Sequence, residues 1–205
     1  MPNYLERPAP PALPLATETY NRPFMDQNSN VLRLFFTRLV NAFDTIVSTD
    51  NGGKFIYNPV GAFYSSQDQS ATSANTGYAV TFNNTVLNSG ITLSNNSRIN
   101  VADTGVYAFN VTLQLEHNNS SDAQVTIFEQ KNGSAVAYSG HTFHVKGSVK
   151  ETINWEFVAS LSANDYVEVY WSTTDTGVNL HTESASSPHP GIPSASIDVV
   201  FVSNV

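Results

Sequence analysis

Two copies of the triplet Asp-Thr-Gly are the first residues in this chain that suggest chemistry, at 103–105 and 175–177. A pair of carboxylates that shares one proton is the arrangement used by aspartic proteases, which carry this triplet. That chemistry needs two equivalent lobes. Here one triplet precedes a strongly alternating segment, and the other lies in a long polar stretch. We therefore interpret both triplets as turns, in which glycine is free to adopt positive φ, and predict no catalytic residue.

The histidines are the next candidates, as metal ligands. His141 and His144 are three residues apart in a predicted strand, so they face opposite sides and do not chelate one ion within a chain. A single histidine from each of three copies would suffice on a threefold axis, and this alternative stays open, although we predict no metal and no cofactor. The stretch 173–194 is a candidate ligand loop, or equally a crossing loop that caps the end of the barrel. Its candidate contact residues are Asp175, His181, Glu183 and His189.

The segment 103–117 shows the clearest strand pattern among the elements that must position these side chains. Apolar residues occupy alternate positions, at Tyr107, Phe109, Val111, Leu113 and Leu115. Because successive side chains of a strand point to opposite faces, the pattern predicts one long strand with an apolar core face. The second face carries small or uncharged residues up to Glu116.

Turn signals separate further segments with strand patterns on both sides of this one. We predict nine more strands, at 61–68, 77–83, 89–94, 98–101, 123–131, 135–145, 150–160, 165–173 and 194–203. Ten strands of this length and spacing are typical of a β-sandwich or jelly roll. Some strands are apolar on their second face as well, which indicates that one sheet is covered by another subunit. These second-face residues include Tyr166, Tyr170, Val200 and Val202.

The composition of the chain limits its partners. The formal net charge is −8 and there is no cysteine. The charge falls on residues 55–205, because residues 1–54 carry as many basic as acidic groups. Such an acidic region is a poor polyanion binder, so no nucleic acid is expected as a partner. No apolar run approaches the ~18 residues that span a bilayer, and no signal-peptide pattern is present. We expect synthesis in the cytoplasm and no membrane insertion.

The first part of the chain is predicted to be an attachment region. Residues 1–24 contain six prolines among few core-forming side chains, which predicts an extended arm. A segment of this kind either stays a disordered tail or becomes ordered by lying on a partner, and we predict the second. Residues 25–54 are predicted to form a helix followed by the Gly52-Gly53 hinge, and residues 55–205 form the head.

The helix is predicted over 26–48, with Asp26 or Ser29 as its N-cap. Apolar residues recur at the alternating spacing of four and three that forms a seam between helices. The seam, which is the predicted anchoring surface, consists of Leu32, Phe36, Leu39, Phe43 and Ile46. Two arrangements stay open, since three heptads are the lower limit for a coiled coil: packing on the head of the same chain, or a short three-helix stalk.

Several short motifs occur in a characteristic order along residues 61–203. They are Gly61-Ala62-Phe63-Tyr64, Gly105-Val106-Tyr107-Ala108-Phe109, residues 127–133 with their Asn-Gly hairpin, residues 161–169, and Ser194-Ala195-Ser196-Ile197. In this order and spacing they resemble the tumour-necrosis-factor-like and complement globular-head superfamily. The resemblance implies a mainly β, ten-strand jelly-roll sandwich that assembles as a homotrimer and carries no catalytic residue.

In that superfamily the long strand lies in the inner sheet, so the resemblance implies that its second face points toward the threefold axis. Like charges would repel where three copies meet, and Asn110, Thr112 and Gln114 are uncharged. Glu116 would lie where the axis opens to water. The predicted trimer interface consists of Tyr64, Asn110, Thr112, Gln114, Tyr166, Tyr170, Val200 and Val202.

A Pro-rich arm, a short helix rich in Leu, Phe and Arg, and such a head together resemble virion proteins of tailed bacteriophages. This resemblance implies a non-enzymatic structural protein of the virion, whose residues 1–48 bind other virion proteins. Its acidic head would be displayed as a head decoration or fibre, or as a tail-associated protein that binds a host surface glycan or receptor. The alternative is a free, trimeric, lectin-like module that binds carbohydrate or protein.

Overall fold

The computed structural model describes residues 11–13, 15, 18–47 and 58–204. The chain divides into two compact units, Met1–Tyr57 and Asn58–Val205, each of which is described by itself. Residues 1–10 of the predicted arm and the Gly52-Gly53 hinge lie outside the described residues.

Helix α1 of the first unit spans Arg22–Val47. The side-chain oxygen of Asn21 accepts a hydrogen bond from the N–H of Phe24 at 3.3 Å, which makes Asn21 the N-cap. The prediction that Asp26 or Ser29 caps the helix is therefore wrong. The helix begins earlier because Asn21 supplies an acceptor and because its first turn tolerates a proline, whose missing N–H has no partner there in any helix.

Helix α1 keeps much of its apolar surface exposed. In the predicted seam, Leu32 and Leu39 are half-buried, whereas Phe36 and Phe43 are each 56% exposed. The side chain of Ile46 lies outside the described residues. Of the helices in the described part of the chain, none has the length and apolarity to cross a bilayer.

The described residues of the second unit form fourteen strands, where the sequence predicted ten. They are β1 (Val60–Ser65), β2 (Gln69–Ser70), β3 (Tyr78–Ala79), β4 (Asn84–Ser89), β5 (Ile91–Ser94), β6 (Arg98–Val101), β7 (Gly105–His117), β8 (Ala123–Lys131), β9 (Ser134–Ala135), β10 (His141–Val145), β11 (Lys150–Leu161), β12 (Tyr166–Thr173), β13 (Val178–Leu180) and β14 (Ala195–Ser203).

These strands form two antiparallel sheets. Sheet I has the order β11–β7–β14–β1–β4, and β13 and β2 extend it beside the last residues of β7. Sheet II has the order β10–β8–β12–β6–β5, with β3 beside β12 and β9 beside β8. From β7 to β14 the chain passes back and forth between the sheets, which is the winding of a jelly roll.

Strand β7 confirms the long strand predicted from the alternating pattern. Its alternate residues from Gly105 to His117 are buried in the core between the sheets. The hydroxyl of Tyr107 donates a hydrogen bond to the carbonyl oxygen of Asp103 at 2.7 Å, and burial raises the pKa of Tyr107 to about 12. Gly105 is needed for space, not for a positive φ, since a Cβ there would lie 2.3 Å from the ring of Phe201.

Three predicted segments differ from the structure. The strand at 77–83 shrinks to β3, and the unpredicted β4 pairs with β1 through a β-bulge. A turn over 136–139 interrupts the strand at 135–145, and the stretch 173–194 contains β13, which pairs with both β7 and β2. The short β3 and the additional β13 arise because pairing with strands distant in sequence overrides local propensity. The break at 136–139 is a local turn, in which Tyr138 has a positive φ.

Candidate functional site

The outward side of sheet I, called face I here, is built around β7. Residues that lie opposite each other in neighbouring strands share a face, so the register defines rows across β11, β7 and β14. One row consists of Glu156, Asn110 and Asp198. The two carboxylates are exposed and have no ion pair among the described residues. The surroundings of Asn110 are therefore acidic, although β7 itself is uncharged there.

The neighbouring row of face I is apolar. It consists of Val158, Ala108 and Val200, with Val158 65% exposed and Val200 40% exposed. Val202, beyond this row, is 50% exposed. Two exposed valines in one row, with only Ala108 between them, form an apolar strip of the kind that is typical of a contact surface.

The structure places the predicted trimer-interface residues on two different surfaces. Six of them lie on face I, namely Tyr64, Asn110, Thr112, Gln114, Val200 and Val202. Tyr166 and Tyr170 lie in β12 and point outward from sheet II, on what is called face II here. The prediction that all eight cover one sheet is therefore wrong, because the outward sides of the two sheets of a sandwich point in opposite directions.

Face II satisfies its charged groups internally. The carboxylate of Glu168 is almost fully buried and accepts a hydrogen bond from the Ser97 hydroxyl at 2.6 Å. The Nε of Arg98 lies 3.6 Å from the same carboxylate, and its guanidinium carbon lies 4.5 Å from the ring centre of Tyr166. The face of the Tyr166 ring is thus covered by the Arg98 guanidinium of the same chain.

The stretch 173–194 is more ordered than an irregular loop. After β13, the backbones of Glu183 and Ile192 exchange hydrogen bonds at 2.9 Å, and those of Ser186 and His189 exchange bonds at 3.0 and 2.6 Å. Residues 183–192 therefore form a hairpin, with His189 exposed near its tip. A cavity of about 400 Å³ lies beside this hairpin and is lined by Tyr64, Ser66, Thr182, Glu183, Ser184, Ala185, Gly191, Ile192 and Pro193.

Of the candidate ligand residues, Asp175 uses its carboxylate for hydrogen bonds within the chain. Its carboxylate accepts hydrogen bonds from the Asn119 amide at 2.7 Å and the Gly177 N–H at 2.8 Å, and these hold its pKa below the usual value. The fully buried His117 ring lies 3.3 Å from the Asp175 carboxylate and 3.3 Å from the Lys146 carbonyl oxygen. Asp175 thus contacts a buried histidine and closes a turn.

Sequence reasoning missed His117. The available signal was its odd-numbered position, which continues the series of core residues that ends at Leu115.

His181 and Glu183 belong to a separate ionic network at the far end of face I. The ammonium group of Lys150 lies 2.5 Å from Glu183 and 3.6 Å from Glu116. The Nδ1 of His181 lies 3.2 Å from Asp68 and 3.5 Å from Glu116. The hydrogen bond from Lys150 lowers the pKa of Glu183 and raises that of Lys150.

The histidines of β10 lie on opposite sides of sheet II. His141 pairs with Ile127 on the core side of sheet II, and its ring centre lies 5.9 Å from that of Trp155. His144 points outward, as the three-residue spacing predicted. In the described ranges no three His, Asp or Glu side chains are arranged to hold a metal ion.

The strand order defines the second unit as a jelly-roll β-sandwich. No protein-family model matches the chain, and no curated protein matches it. Among solved structures, the chain is similar to murine APRIL at pH 5.0 (15% identity, TM-score 0.48, 71% of this chain and 99% of that chain). It is also similar to murine APRIL at pH 8.5 (16%, 0.47, 71% and 99%) and to the globular domain of zebrafish complement 1qA (13%, 0.45, 72% and 99%). At these values the likeness carries no functional argument, and the jelly-roll assignment rests on the strand order.

Proposed function

We propose that the protein is a non-enzymatic, homotrimeric structural protein of a bacteriophage virion, with the arm and α1 bound to the particle and the head displayed. The observation that carries this proposal is the large apolar surface of α1. Leu34, Phe36, Val40 and Phe43 are each more than half exposed. A helix with this much apolar surface requires a partner in water.

Face I supports the trimer in this proposal. The row of Val158, Ala108 and Val200 provides apolar area that another copy can bury. The row of Glu156, Asn110 and Asp198 sets a limit, because three copies meeting there would bring carboxylates together. We therefore place the centre of the interface at the valine row and the acidic row at its rim, which revises the expectation that Asn110 faces the axis.

The test of attachment is deletion of residues 1–20, which leaves the Asn21 cap and α1 intact. We expect the shortened chain to keep its far-UV circular dichroism and its trimer mass in light scattering, but to be absent from purified particles. The matched control retains the arm and replaces Leu15, an exposed arm residue, with serine. Normal incorporation of the shortened chain would contradict anchoring by the arm.

The second candidate function is a free, lectin-like trimer that binds carbohydrate or protein. The cavity beside the hairpin 183–192 favours it, because hydroxyl groups, a carboxylate and the Tyr64 ring meet there in a concave site. The particle experiment separates the two candidates, since a free lectin does not depend on particles for its location.

A further inference from the structure

Tyr138 occupies a turn in an unusual way. The turn spans 136–139 and is closed by the Ser139 N–H, which donates to the Val136 carbonyl oxygen at 3.3 Å. Tyr138 is the third residue of this turn and has φ +61°, a left-handed conformation that favours glycine or asparagine. Six other non-glycine residues have positive φ among the described residues, and five of them are asparagine. Tyr138 is thus the only aromatic residue of the described chain in this conformation.

The ring of Tyr138 also contributes nothing to packing. The residue is 104% exposed, and within the described ranges its ring has no aromatic contact and its hydroxyl no hydrogen bond. A tyrosine that only filled space would be found against the core or against a neighbouring ring. The unfavourable left-handed backbone of Tyr138 and the exposure of its ring are two independent observations. No contact within the described chain explains either of them.

The turn nevertheless holds Tyr138 in a fixed place on sheet II. The Val136 N–H donates to the Glu129 carbonyl oxygen at 3.0 Å, and the Ser139 hydroxyl accepts from the Glu129 N–H at 3.0 Å. The same hydroxyl donates to the Val136 carbonyl oxygen at 2.9 Å. Because the backbone of the turn is fixed in this way, ligand binding by the ring costs little backbone conformational entropy.

The outward residues of β8 and β10, the strands beside the turn, carry no carboxylate, ammonium or guanidinium group. The outward residues of these strands are Gln124, Thr126, Phe128, Gln130, Thr142 and His144. The hydroxyls of Thr126 and Thr142 lie 2.9 Å apart. Gly140 has no side chain beside them; a Cβ added there would lie 3.9 Å from the methyl group of Thr126. The Glu129 side chain is buried on the core side. Glu168, which lies opposite Gln130, is already bound by Ser97 and Arg98, so the polar groups open beside the turn are mainly hydroxyls and amides. These groups favour a neutral, hydrogen-bonding ligand.

We propose that Tyr138 is the anchor of a binding site on face II for a neutral carbohydrate. The C–H groups of a sugar ring carry partial positive charge and stack on the negative face of an aromatic ring. The Thr126 and Thr142 hydroxyls exchange hydrogen bonds with sugar hydroxyls, and the half-buried Phe128–Tyr170 pair, whose ring centres are 5.6 Å apart, offers a second apolar surface. This inference rests on the proposed display of the head and names the class of ligand that the head takes.

The experiment compares the full-length wild type with Tyr138→Gly and Ser148→Gly on a printed array of neutral and acidic oligosaccharides. Ser148 also has positive φ, 60°, so its glycine variant makes the same backbone change on a different loop. We expect wild type and Ser148→Gly to bind neutral oligosaccharides, and Tyr138→Gly to lose ~10-fold or more in affinity. The melting temperature of Tyr138→Gly should be equal or higher, because glycine relieves the left-handed backbone.

Three results would overturn the proposal: wild type binding no neutral oligosaccharide, Tyr138→Gly binding as wild type does, or Tyr138→Gly melting markedly lower, which would make the ring structural. Wild-type binding to host cells that disappears after protease treatment, without array binding, would identify a protein partner and also overturn it. Incorporation into particles is measured separately, and we expect Tyr138→Gly to be incorporated normally. Loss of incorporation by the wild type would contradict the display proposal, whereas loss of oligosaccharide binding alone would contradict the carbohydrate site.

Discussion

Face II holds Glu168 between Ser97 and Arg98, whereas face I leaves Glu156 and Asp198 without an ion pair among the described residues. The two faces also differ in their apolar groups. On face I, Val158 and Val200 lie exposed in one row, while on face II the ring of Tyr166 is covered by the Arg98 guanidinium. Glu168 and Tyr166 of face II thus have partners within one chain, whereas Glu156 and Asp198 of face I have no ion pair among the described residues and its valines stay exposed.

The largest effect is expected on assembly, from Val158→Asp combined with Val200→Asp. Charged groups in the apolar row would have to lose their hydration in a subunit contact, so we expect the mass in light scattering to fall from three chains to one. The control is Gln124→Glu with Thr142→Glu, which adds the same charge to face II and should leave the mass unchanged. A trimer that survives the valine substitutions would remove face I from the interface.

The second effect is on stability and compares one glutamate from each face. Glu168→Ala removes the acceptor of the buried Ser97 hydroxyl and the partner of the partly exposed Arg98 guanidinium, so we expect a loss of about 2 kcal/mol in the free energy of unfolding. Glu156→Ala removes an exposed, unpaired group and should change it by less than about 0.5 kcal/mol. Urea denaturation at one fixed protein concentration measures the free energy of unfolding of both variants. Equal losses for the two variants would show that Glu156 is paired with another charged group.

A smaller effect concerns acid and the turn before β12. The Asp165 carboxylate is bound by the Lys131 ammonium at 2.9 Å, the Asn132 amide at 2.8 Å and the Ser162 N–H at 2.8 Å, which lower its pKa to about 2. Because the folded-state pKa is depressed, this stabilisation is complete above the ordinary value near 4 and is lost as the pH falls toward 2.

Asp165→Asn should therefore cost about 1 kcal/mol at pH 7, since solvent screens part of the interaction, and flatten the decline of stability between pH 4 and pH 2. The control on face I is Asp198→Asn, an exposed position without an ion pair in the described part of the chain. Its expected change at pH 7 is less than about 0.5 kcal/mol. Parallel pH profiles for Asp165→Asn and the wild type would rule out this source of acid sensitivity.

The sequence predicted the elements whose signal is local. Alternation alone located β7 and its core residues, because one buried and one exposed face produce a period of two. It did not predict the break at 136–139, because no glycine or proline marks a turn that Tyr138 occupies in a left-handed conformation. Nor did it predict β13, which depends on its pairing with β7 and β2.

The binding surfaces were predicted only in part, because strand register decides which side chains become neighbours. Asn110 is a predicted interface residue because its own strand is uncharged there. Glu156 and Asp198, which belong to strands far along the sequence, nevertheless lie beside it. Tyr170 and Val200 have the same alternating pattern but belong to different sheets. Such assignments require the sheet order, which no local pattern specifies.

The position of β14 has a consequence for synthesis. It is the last strand of the described chain, yet it lies inside sheet I between β1 and β7. Until residues 195–203 have left the ribosome, β1 and β7 each present an edge with unpaired N–H and C=O groups, and sheet I remains in two parts. A chain that ends before residue 195 therefore exposes two unpaired strand edges at the centre of sheet I.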